Sequence, residues 1–124
     1  VKRGLVLIDP PYELKTEYQD LIKGLQEAYK RFPQATYAIW YPVIERHSIE
    51  QFIAAIVATG IKNQLRIEFN LHADSPGHGM TGSGMLVINP PYTLAQSLAP
   101  ALSEVQQQLG NPASHYQIMQ LVGE

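Results

Sequence analysis

The apolar residues of this chain change their spacing several times, and each change marks a different predicted element. Leu5–Ile8 is a continuous apolar run, which is typical of a strand buried on both faces. Across residues 13–32 apolar side chains recur every three or four positions, which predicts an amphipathic helix. The chain therefore opens with a strand and a helix. The predicted apolar face of the helix consists of Tyr18, Leu21, Ile22, Leu25 and Tyr29.

The middle of the chain repeats this alternation. Residues 36–41 are rich in β-branched and aromatic side chains and are followed by Pro42, which predicts a second strand that stops there. Residues 48–59 carry apolar residues at helical spacing. Ser48 is suited to cap the start of this helix and Gly60 its end.

The remaining pattern predicts a different connection. Residues 65–71 alternate as a third strand with Leu65, Ile67, Phe69 and Leu71 on one face, and residues 73–84 form a loop. A short strand at 85–88, a helix over Leu94–Leu109 and a final strand over His115–Val122 follow. Together the elements predict an α/β fold with a Rossmann-like, mostly parallel sheet and an antiparallel closing strand.

Composition limits the possible functions. The 124 residues suit a single domain, and 9 basic against 11 acidic residues leave a net charge of −2, so a nucleic-acid partner has to be argued from chemistry. There is no cysteine, which excludes disulfides and thiolate metal sites and fits a cytoplasmic protein. No apolar run is long enough to cross a membrane. Because the chain begins almost directly on a buried-type strand, we expect it to be the later part of a longer protein.

Two short motifs stand after predicted strands: DPPY at residues 9–12 and NPPY at 89–92. Asp and Asn are favoured N-caps and proline is favoured at the first helical position, so helix initiation alone would explain both. For NPPY we favour this explanation, with a role of Asn89 near the substrate as the alternative. Asp9 is different because it lies at the carboxyl end of a predicted parallel strand, where ligands bind in open α/β sheets.

The DPPY residues also suit methylation of an amino group. The exocyclic amine of adenine is a poor nucleophile because its lone pair is delocalised into the ring. An Asp oxygen and a proline carbonyl can accept the two amine hydrogens and hold the lone pair toward a methyl donor. The proline rings fix the backbone, and the following aromatic ring can stack on a flipped base, which contributes about 1–3 kcal/mol.

Three blocks in this order resemble one known family. They are KRGLVLIDPPYE at residues 2–13, TYAIWYPV at 36–43 and MTGSGMLVINPPY at 80–92. They are similar to the bacterial methyltransferase J family, which methylates N6 of an adenine in 23S ribosomal RNA and has an older label as proteins of external-DNA catabolism. The similarity extends from Lys2 to the carboxyl end.

The resemblance implies an enzyme dependent on S-adenosylmethionine, with ribosomal RNA as its partner. We expect the reaction to need no metal and the protein to be a monomer. It implies that Asp9, Pro10 and Pro11 activate the amine, that Asp9 also contacts the methyl donor, and that Tyr12 stacks on the base. A glycine-rich loop and a ribose-binding acid, which such a fold needs, are absent before Asp9. We therefore expect the chain to be the carboxyl-terminal half of the catalytic domain, inactive alone. A DNA adenine methyltransferase and a non-enzymatic nucleic-acid-binding protein are the alternatives.

Several other polar residues are candidates for chemistry. GHGMTG at residues 77–82 matches a dinucleotide-binding pattern, but it precedes a strand rather than a helix, so we predict a loop that could lie over the active site. His72, Asp74 and His78 have no recognisable metal-ligand spacing, and we predict no metal there. Trp40 and Tyr41 are expected in the core, with contact to a base or to the cofactor adenine as the alternative.

The scattered basic residues are the last group. Because they follow no pattern along the chain, we predict that they lie on a solvated surface. They are Arg46, His47, Lys62 and Arg66.

Overall fold

All of the predicted helices and strands are present. A computed structural model describes residues 4–9, 15–74 and 79–124 of the chain. The last helix and the last strand have the predicted bounds. The elements are β1 (Leu5–Ile8), α1 (Lys15–Arg31), β2 (Thr36–Val43), α2 (Arg46–Ala58), β3 (Gln64–Asn70), β4 (Gly82–Ile88), α3 (Leu94–Leu109) and β5 (His115–Val122).

The strands form one sheet in the order β1-β2-β4-β3-β5. β1 and β2 are parallel, whereas the pairs β2–β4, β3–β4 and β3–β5 are antiparallel. The α/β fold is thus confirmed, but the expectation of a mostly parallel sheet is wrong. β4 follows β3 through a loop instead of a helix and inserts between β2 and β3, which separates two strands that run the same way.

β1, β2 and β3 all end at the same side of the sheet, here named the carboxyl edge. α1 and α2 cover one face of the sheet, and their apolar residues form the core with β2 and β4. Tyr37, Ile39, Leu86 and Ile88 are fully buried in this core, and Leu25 of α1 packs against it. β4 and β5 run in the same direction, and a right-handed crossover between them puts α3 on the other face, which agrees with the lack of α3 residues in this core cluster.

β1 differs from its prediction. It was expected to be buried on both faces, but Leu5 is 65% and Leu7 71% exposed. Among the described residues 4–9, 15–74 and 79–124, β1 is an edge strand that pairs with β2 alone. Ile8 is its residue that packs against the core. The sequence of β1 is typical of an interior strand, whereas in this structure β1 lies at the edge of the sheet.

Two strand boundaries differ from the predicted ones. β2 continues through Pro42 to Val43, whereas β1 pairs with it only as far as Ile39. Beyond that pair no described residue pairs with β2 on the side of β1, and a proline without an N–H is tolerated at such an open side. β4 begins at Gly82 rather than Met85 because residues 82–84 already pair with β2 on one side and β3 on the other.

The helix caps also need correction. α2 begins at Arg46 with Glu45 as its N-cap, and the Ser48 hydroxyl donates to the Glu45 carboxylate at 3.1 Å instead of capping the helix. Gly60 does follow the C-cap in the left-handed conformation, with φ at 77°, as expected for a glycine that ends a helix. Among the helices of the described residues, none has the length and apolarity needed to cross a bilayer.

The polar face of β3 is buried more deeply than its apolar face. Its apolar residues alternate on one face as predicted, yet the opposite face carries four polar residues that are almost completely buried. A polar strand face is ordinarily solvated, so this reversal requires buried partners. The four residues are Gln64, Arg66, Glu68 and Asn70.

Candidate active site at the carboxyl edge of the sheet

Asp9 lies at the carboxyl edge and is exposed. It directly follows Ile8, which pairs with Ile39, and β2 continues beyond that pair over residues 40–43. Asp9 therefore emerges alongside the last part of β2, where a ligand can approach it. Its catalytic role stays a prediction. Pro10, Pro11 and Tyr12 lie outside the described residues.

Asn89 lies at the opposite edge. Its side-chain amide donates to the carbonyl oxygens of Pro33 and Ala35 at 2.6 and 3.0 Å, and its own carbonyl accepts from the Thr36 hydroxyl at 2.7 Å. Its φ is 55°, and the N-cap of α3 is Thr93. The prediction that Asn89 caps a helix is therefore wrong. Asn89 instead ties the end of β4 to the turn before β2.

Glu68 is the centre of a buried network at the carboxyl edge. Its Oε1 accepts hydrogen bonds from Tyr41 Oη at 2.8 Å, Arg46 Nη1 at 3.0 Å and Arg66 Nη2 at 2.9 Å. Its Oε2 accepts from Asn70 Nδ2 at 2.8 Å and lies 2.9 Å from Arg46 Nη2. The carboxylate is thus paired with two cations and satisfied by neutral donors, as a buried charge requires.

The hydrogen bonds outweigh the effect of burial on this carboxyl group. Burial alone would raise the pKa of Glu68. The hydrogen bonds donated by Arg46, Asn70, Tyr41 and Arg66 lower this pKa by more than burial raises it, and the result is a pKa of about 2. Glu68 is therefore ionised at any physiological pH. Burial, followed by the charge of Glu68, raises the pKa of Tyr41, which stays a neutral hydrogen-bond donor.

A glycine makes the Tyr41–Glu68 contact possible. Tyr41 pairs with Gly84 on β4, and Gly84 pairs with Glu68 on β3. A Cβ at residue 84 would overlap the Tyr41 ring and hydroxyl. The phenol therefore crosses β4 over a residue without a side chain. Tyr41 is fully buried, which confirms the predicted core position, and Trp40 is half-buried.

Arg46 links the buried Glu68 to an exposed acid. One edge of its guanidinium contacts Glu68, while Nε and Nη2 donate to the two oxygens of Asp74 at 2.9 and 3.1 Å. Hydrogen bonding to Asp74 raises the pKa of Arg46, and hydrogen bonding to Arg46 lowers the pKa of Asp74. Arg46 therefore binds two carboxylates, Glu68 and Asp74, and contacts both oxygens of each.

Arg66 makes the second set of ion pairs. It donates bidentately to Glu50 at 2.8 and 3.1 Å and to the Tyr41 hydroxyl at 3.1 Å. The prediction of a solvated surface is wrong for Arg46 and Arg66, because Glu50, Glu68 and Asp74 compensate their charges. His47 and Lys62 are exposed, as predicted.

The connection between β3 and β4 is fixed at its base. Thr81 donates from its backbone to Val43 O at 2.8 Å, and its own carbonyl accepts from the amides of Leu71 and His72 at 3.0 and 3.3 Å. Part of the GHGMTG motif lies outside the described residues. Gly82 belongs to β4 and packs against Asn70, so its glycine serves a close strand contact and not phosphate binding.

Metal-ligating residues do not converge in the part of the chain that the structure describes. No group of three His, Asp or Glu side chains there could hold an ion. Asp74, one of the three candidate ligands, is engaged by Arg46. His78 lies outside the described residues.

An aromatic contact joins the helices that follow β1 and β2. The rings of Tyr18 in α1 and Phe52 in α2 stack with centroids 4.6 Å apart. They border a groove of about 250 Å³ between the first halves of the two helices. This contact holds α1 against α2.

The Glu68 network was missed by sequence reasoning. Arg66 and Glu68 stand two residues apart between amide residues, which is also what a solvated strand face contains. An arginine and a glutamate on the same strand face, with no lysine among them, indicate burial of that face only weakly. The partners Tyr41, Arg46 and Asp74 come from three other segments, so the pattern along β3 alone could not identify them.

Comparisons with known proteins agree with the sequence motifs. A family model described as ribosomal RNA large subunit methyltransferase D, RlmJ, matches residues 1–122. Ribosomal RNA large subunit methyltransferase J of Escherichia coli (strain K12) is 53% identical over 97 residues, which are 78% of this chain and 35% of the relative. The protein of the same name from Haemophilus influenzae is 52% identical over 101 residues, 82% of this chain and 36% of the relative.

A solved structure is similar over nearly the whole chain. Protein LPL1258 from Legionella pneumophila aligns with a TM-score of 0.83 and 35% identity, covering 95% of this chain and 43% of the other. The chain thus spans about a third of the length of the curated relatives. On the strength of the family match, the chain belongs to the RlmJ family of ribosomal RNA large subunit methyltransferases.

Proposed function

We propose that this chain forms the carboxyl-terminal part of an S-adenosylmethionine-dependent enzyme that methylates N6 of an adenine in large-subunit ribosomal RNA. The observation that carries the proposal is the position of Asp9. It is exposed at the end of a strand that runs parallel to β2, at the edge where ligands bind in open α/β sheets. Family membership supports a ribosomal RNA methyltransferase.

Asp9 has the chemistry that the reaction needs. An exposed carboxylate can accept a hydrogen bond from the target amine and can contact a cationic group of the methyl donor. S-adenosylmethionine, when bound, supplies an electrophilic methyl group. Pro10 and Pro11 would contribute a carbonyl acceptor and a fixed backbone, and Tyr12 would stack on the flipped adenine. The proton that the amine loses is not assigned to Asp9.

The remaining properties follow from this substrate. Ribosomal RNA as the partner places the enzyme in the cytoplasm, and the proposed reaction needs no metal. We propose that the enzyme acts as a monomer. The residues of this chain fit one side of the donor site, since they offer Asp9 but no glycine-rich loop before it.

The test is methyl transfer by a protein of the relatives' full length. Tritium transfer from labelled S-adenosylmethionine to deproteinised, unmodified 23S ribosomal RNA is expected for the wild type. Asp9→Ala should reduce kcat by about 100-fold or more, because an oriented acceptor is lost at the reacting amine. The control is Asp20→Ala, which removes an exposed aspartate of α1 and should retain activity.

Two results would replace this proposal. Equal or faster transfer to duplex DNA than to RNA would indicate a DNA adenine methyltransferase. Full activity of Asp9→Ala, in vitro and in cells, would favour a non-enzymatic role in nucleic-acid binding.

A further inference from the structure

Trp40 of β2 is the neighbour of Asp9 at the carboxyl edge. The parallel register between β1 and β2 ends with the pair Ile8 and Ile39, and Asp9 and Trp40 are the residues that follow this pair in the two segments. Neighbouring strands lie about 4.8 Å apart, so the backbone that carries the indole runs directly beside the candidate catalytic residue.

The side chain of Trp40 points away from the main core. Ile39 and Tyr41, on either side of it in β2, are fully buried in the core that α1 and α2 cover. Because successive side chains of a strand point to opposite faces, the indole lies on the other face of the sheet. Met85, its partner on β4, lies there as well, and both residues are half-buried. Part of Trp40 therefore remains accessible at the edge where Asp9 lies.

The face that carries Trp40 is open toward β1. Leu5 and Leu7 alternate with Ile8, whose side chain packs against the core, so they point to the face of Trp40. Both leucines are mostly exposed. In the part of the chain that the structure describes, Trp40 thus borders an open apolar surface that follows β1 toward Asp9.

The chemistry of Asp9 identifies what such a surface can hold. If Asp9 accepts a hydrogen bond from the exocyclic amine of the target adenine, the ring that carries this amine lies within reach of the neighbouring side chain. An indole offers a flat apolar surface against which a purine ring can stack. The adenine of S-adenosylmethionine fits this position less well, because a ribose separates it from the sulfur that carries the reacting methyl group.

We propose that Trp40 contacts the ring of the target adenine and orients it, so that its amine meets the carboxylate of Asp9. Trp40 is then a second substrate-contacting residue of the site, and it is supplied by β2 and not by the DPPY motif. The inference rests on the proposed function and adds to it the residue that holds the base.

Met85 provides a matched control on the same face. It pairs with Trp40 in the register between β2 and β4 and is also half-buried. It lies one strand further from Asp9, so the loss of its side chain should affect packing and leave the base in place. Met85→Ala therefore separates an effect on stability from the loss of a substrate contact.

The first experiment measures methyl transfer to deproteinised, unmodified 23S ribosomal RNA by full-length wild type, Trp40→Phe, Trp40→Ala and Met85→Ala. Trp40→Ala should lower kcat/KM for the RNA by about tenfold, which corresponds to about 1.4 kcal/mol, with the KM for the methyl donor unchanged. Trp40→Phe should keep most of the wild-type kcat/KM, because a phenyl ring can still stack on the base. Met85→Ala should lower Tm and leave kcat/KM unchanged.

A second experiment detects the contact without methyl transfer. Trp40 is the single tryptophan of the 124 residues. A base stacked on an indole quenches its fluorescence, so addition of the same RNA should reduce the tryptophan emission of the wild type. The reduction should be smaller in Trp40→Phe and should stay at the wild-type level in Met85→Ala.

The opposite results are equally distinct. Wild-type kcat/KM in Trp40→Ala, an equal loss in Met85→Ala, or a raised KM for the methyl donor in place of the effect on RNA would overturn the contact with the target base. Equal quenching in wild type and Trp40→Phe would do the same.

The proposed function is tested separately by the wild type and Asp9→Ala. Methyl transfer by the wild type that is lost in Asp9→Ala supports it, whatever the Trp40 variants show. Quenching of Trp40 by RNA in a wild type that transfers no methyl group would refute the proposed function and leave the contact in place.

Discussion

At the scale of single residues, the most informative position is a glycine. Tyr41 reaches Glu68 across β4 only because residue 84 has no side chain. The phenol then supplies one of the hydrogen bonds that keep Glu68 ionised in a dry environment. Gly84 of β4 thereby allows a hydrogen bond between β2 and β3, and Glu68, fixed by that bond, orients Arg46 at the candidate site.

The ionisation of Glu68 makes a prediction about stability and pH. Its pKa is about 2 in the folded protein and 4.5 is its ordinary value, so the unfolded chain binds the proton first as pH falls. The stabilisation is fully present above about pH 4.5 and is lost as the pH falls toward 2. Glu68→Gln should destabilise the protein by about 3–5 kcal/mol at neutral pH, since it leaves the buried Arg66 and the partly buried Arg46 without their central anion.

The measurement is the free energy of unfolding in urea at a series of pH values. The difference between wild type and Glu68→Gln should narrow by roughly 3 kcal/mol between pH 4.5 and 2. Glu27→Gln, which removes an exposed acid from α1, is the control for general charge effects. A difference that stays constant over this range would mean that Glu68 is not selectively ionised in the fold.

At the scale of elements, local patterns predicted the parts better than their surroundings. The periodicity identified each helix and strand, and α3 and β5 have the predicted bounds. It also assigned the correct residues of β3 to each face. The deep burial of the polar face of β3 depended on α2 and β2, and the pairing of β4 depended on a connection without periodicity. These are contacts distant in sequence, which hydrophobic spacing does not encode.

The candidate site shows the same division. The motif and the strand before it placed Asp9 at the end of β1, and the structure exposes it there. The positions of Arg46 and Asp74 could not be predicted, because an ion pair between residues 28 apart depends on tertiary structure. The similar motif at Asn89 misled the prediction, since its local sequence fits a helix cap while its contacts are with the turn before β2.

Asn89 provides a test at this scale. Asn89→Ala loses two side-chain hydrogen bonds and puts alanine, which tolerates the left-handed conformation less well than asparagine, at a φ of 55°, so we expect it to cost about 2–4 kcal/mol. Asn89→Gly keeps the backbone conformation and should be about 1 kcal/mol less destabilising than Asn89→Ala. Urea unfolding measures both costs, and circular dichroism should show unchanged helix content. Fraying of α3 in either variant would instead support the helix cap.

At the scale of the whole molecule, the exposure of β1 has to be considered together with the share of the relatives' length that this chain covers. β1 carries the sequence of an interior strand but has one neighbour, and the chain spans about a third of the curated relatives. A net charge of −2 gives the chain no overall electrostatic attraction to RNA. An RNA contact beside Asp9, as proposed, would therefore depend on individual positioned side chains more than on overall charge.

The exposure of β1 leads to a measurable difference between lengths of chain. In the 124-residue chain Leu7→Ala should change the free energy of unfolding by less than about 1 kcal/mol, because Leu7 is 71% exposed. Ile39→Ala in the adjacent strand, where the side chain is fully buried, should cost about 2–5 kcal/mol. In a protein of the relatives' length, a Leu7→Ala cost that rises to the Ile39→Ala range would show that further chain covers β1. An unchanged small cost in the longer protein would contradict that packing, and β1 would then be an exposed edge beside Asp9 in the enzyme itself.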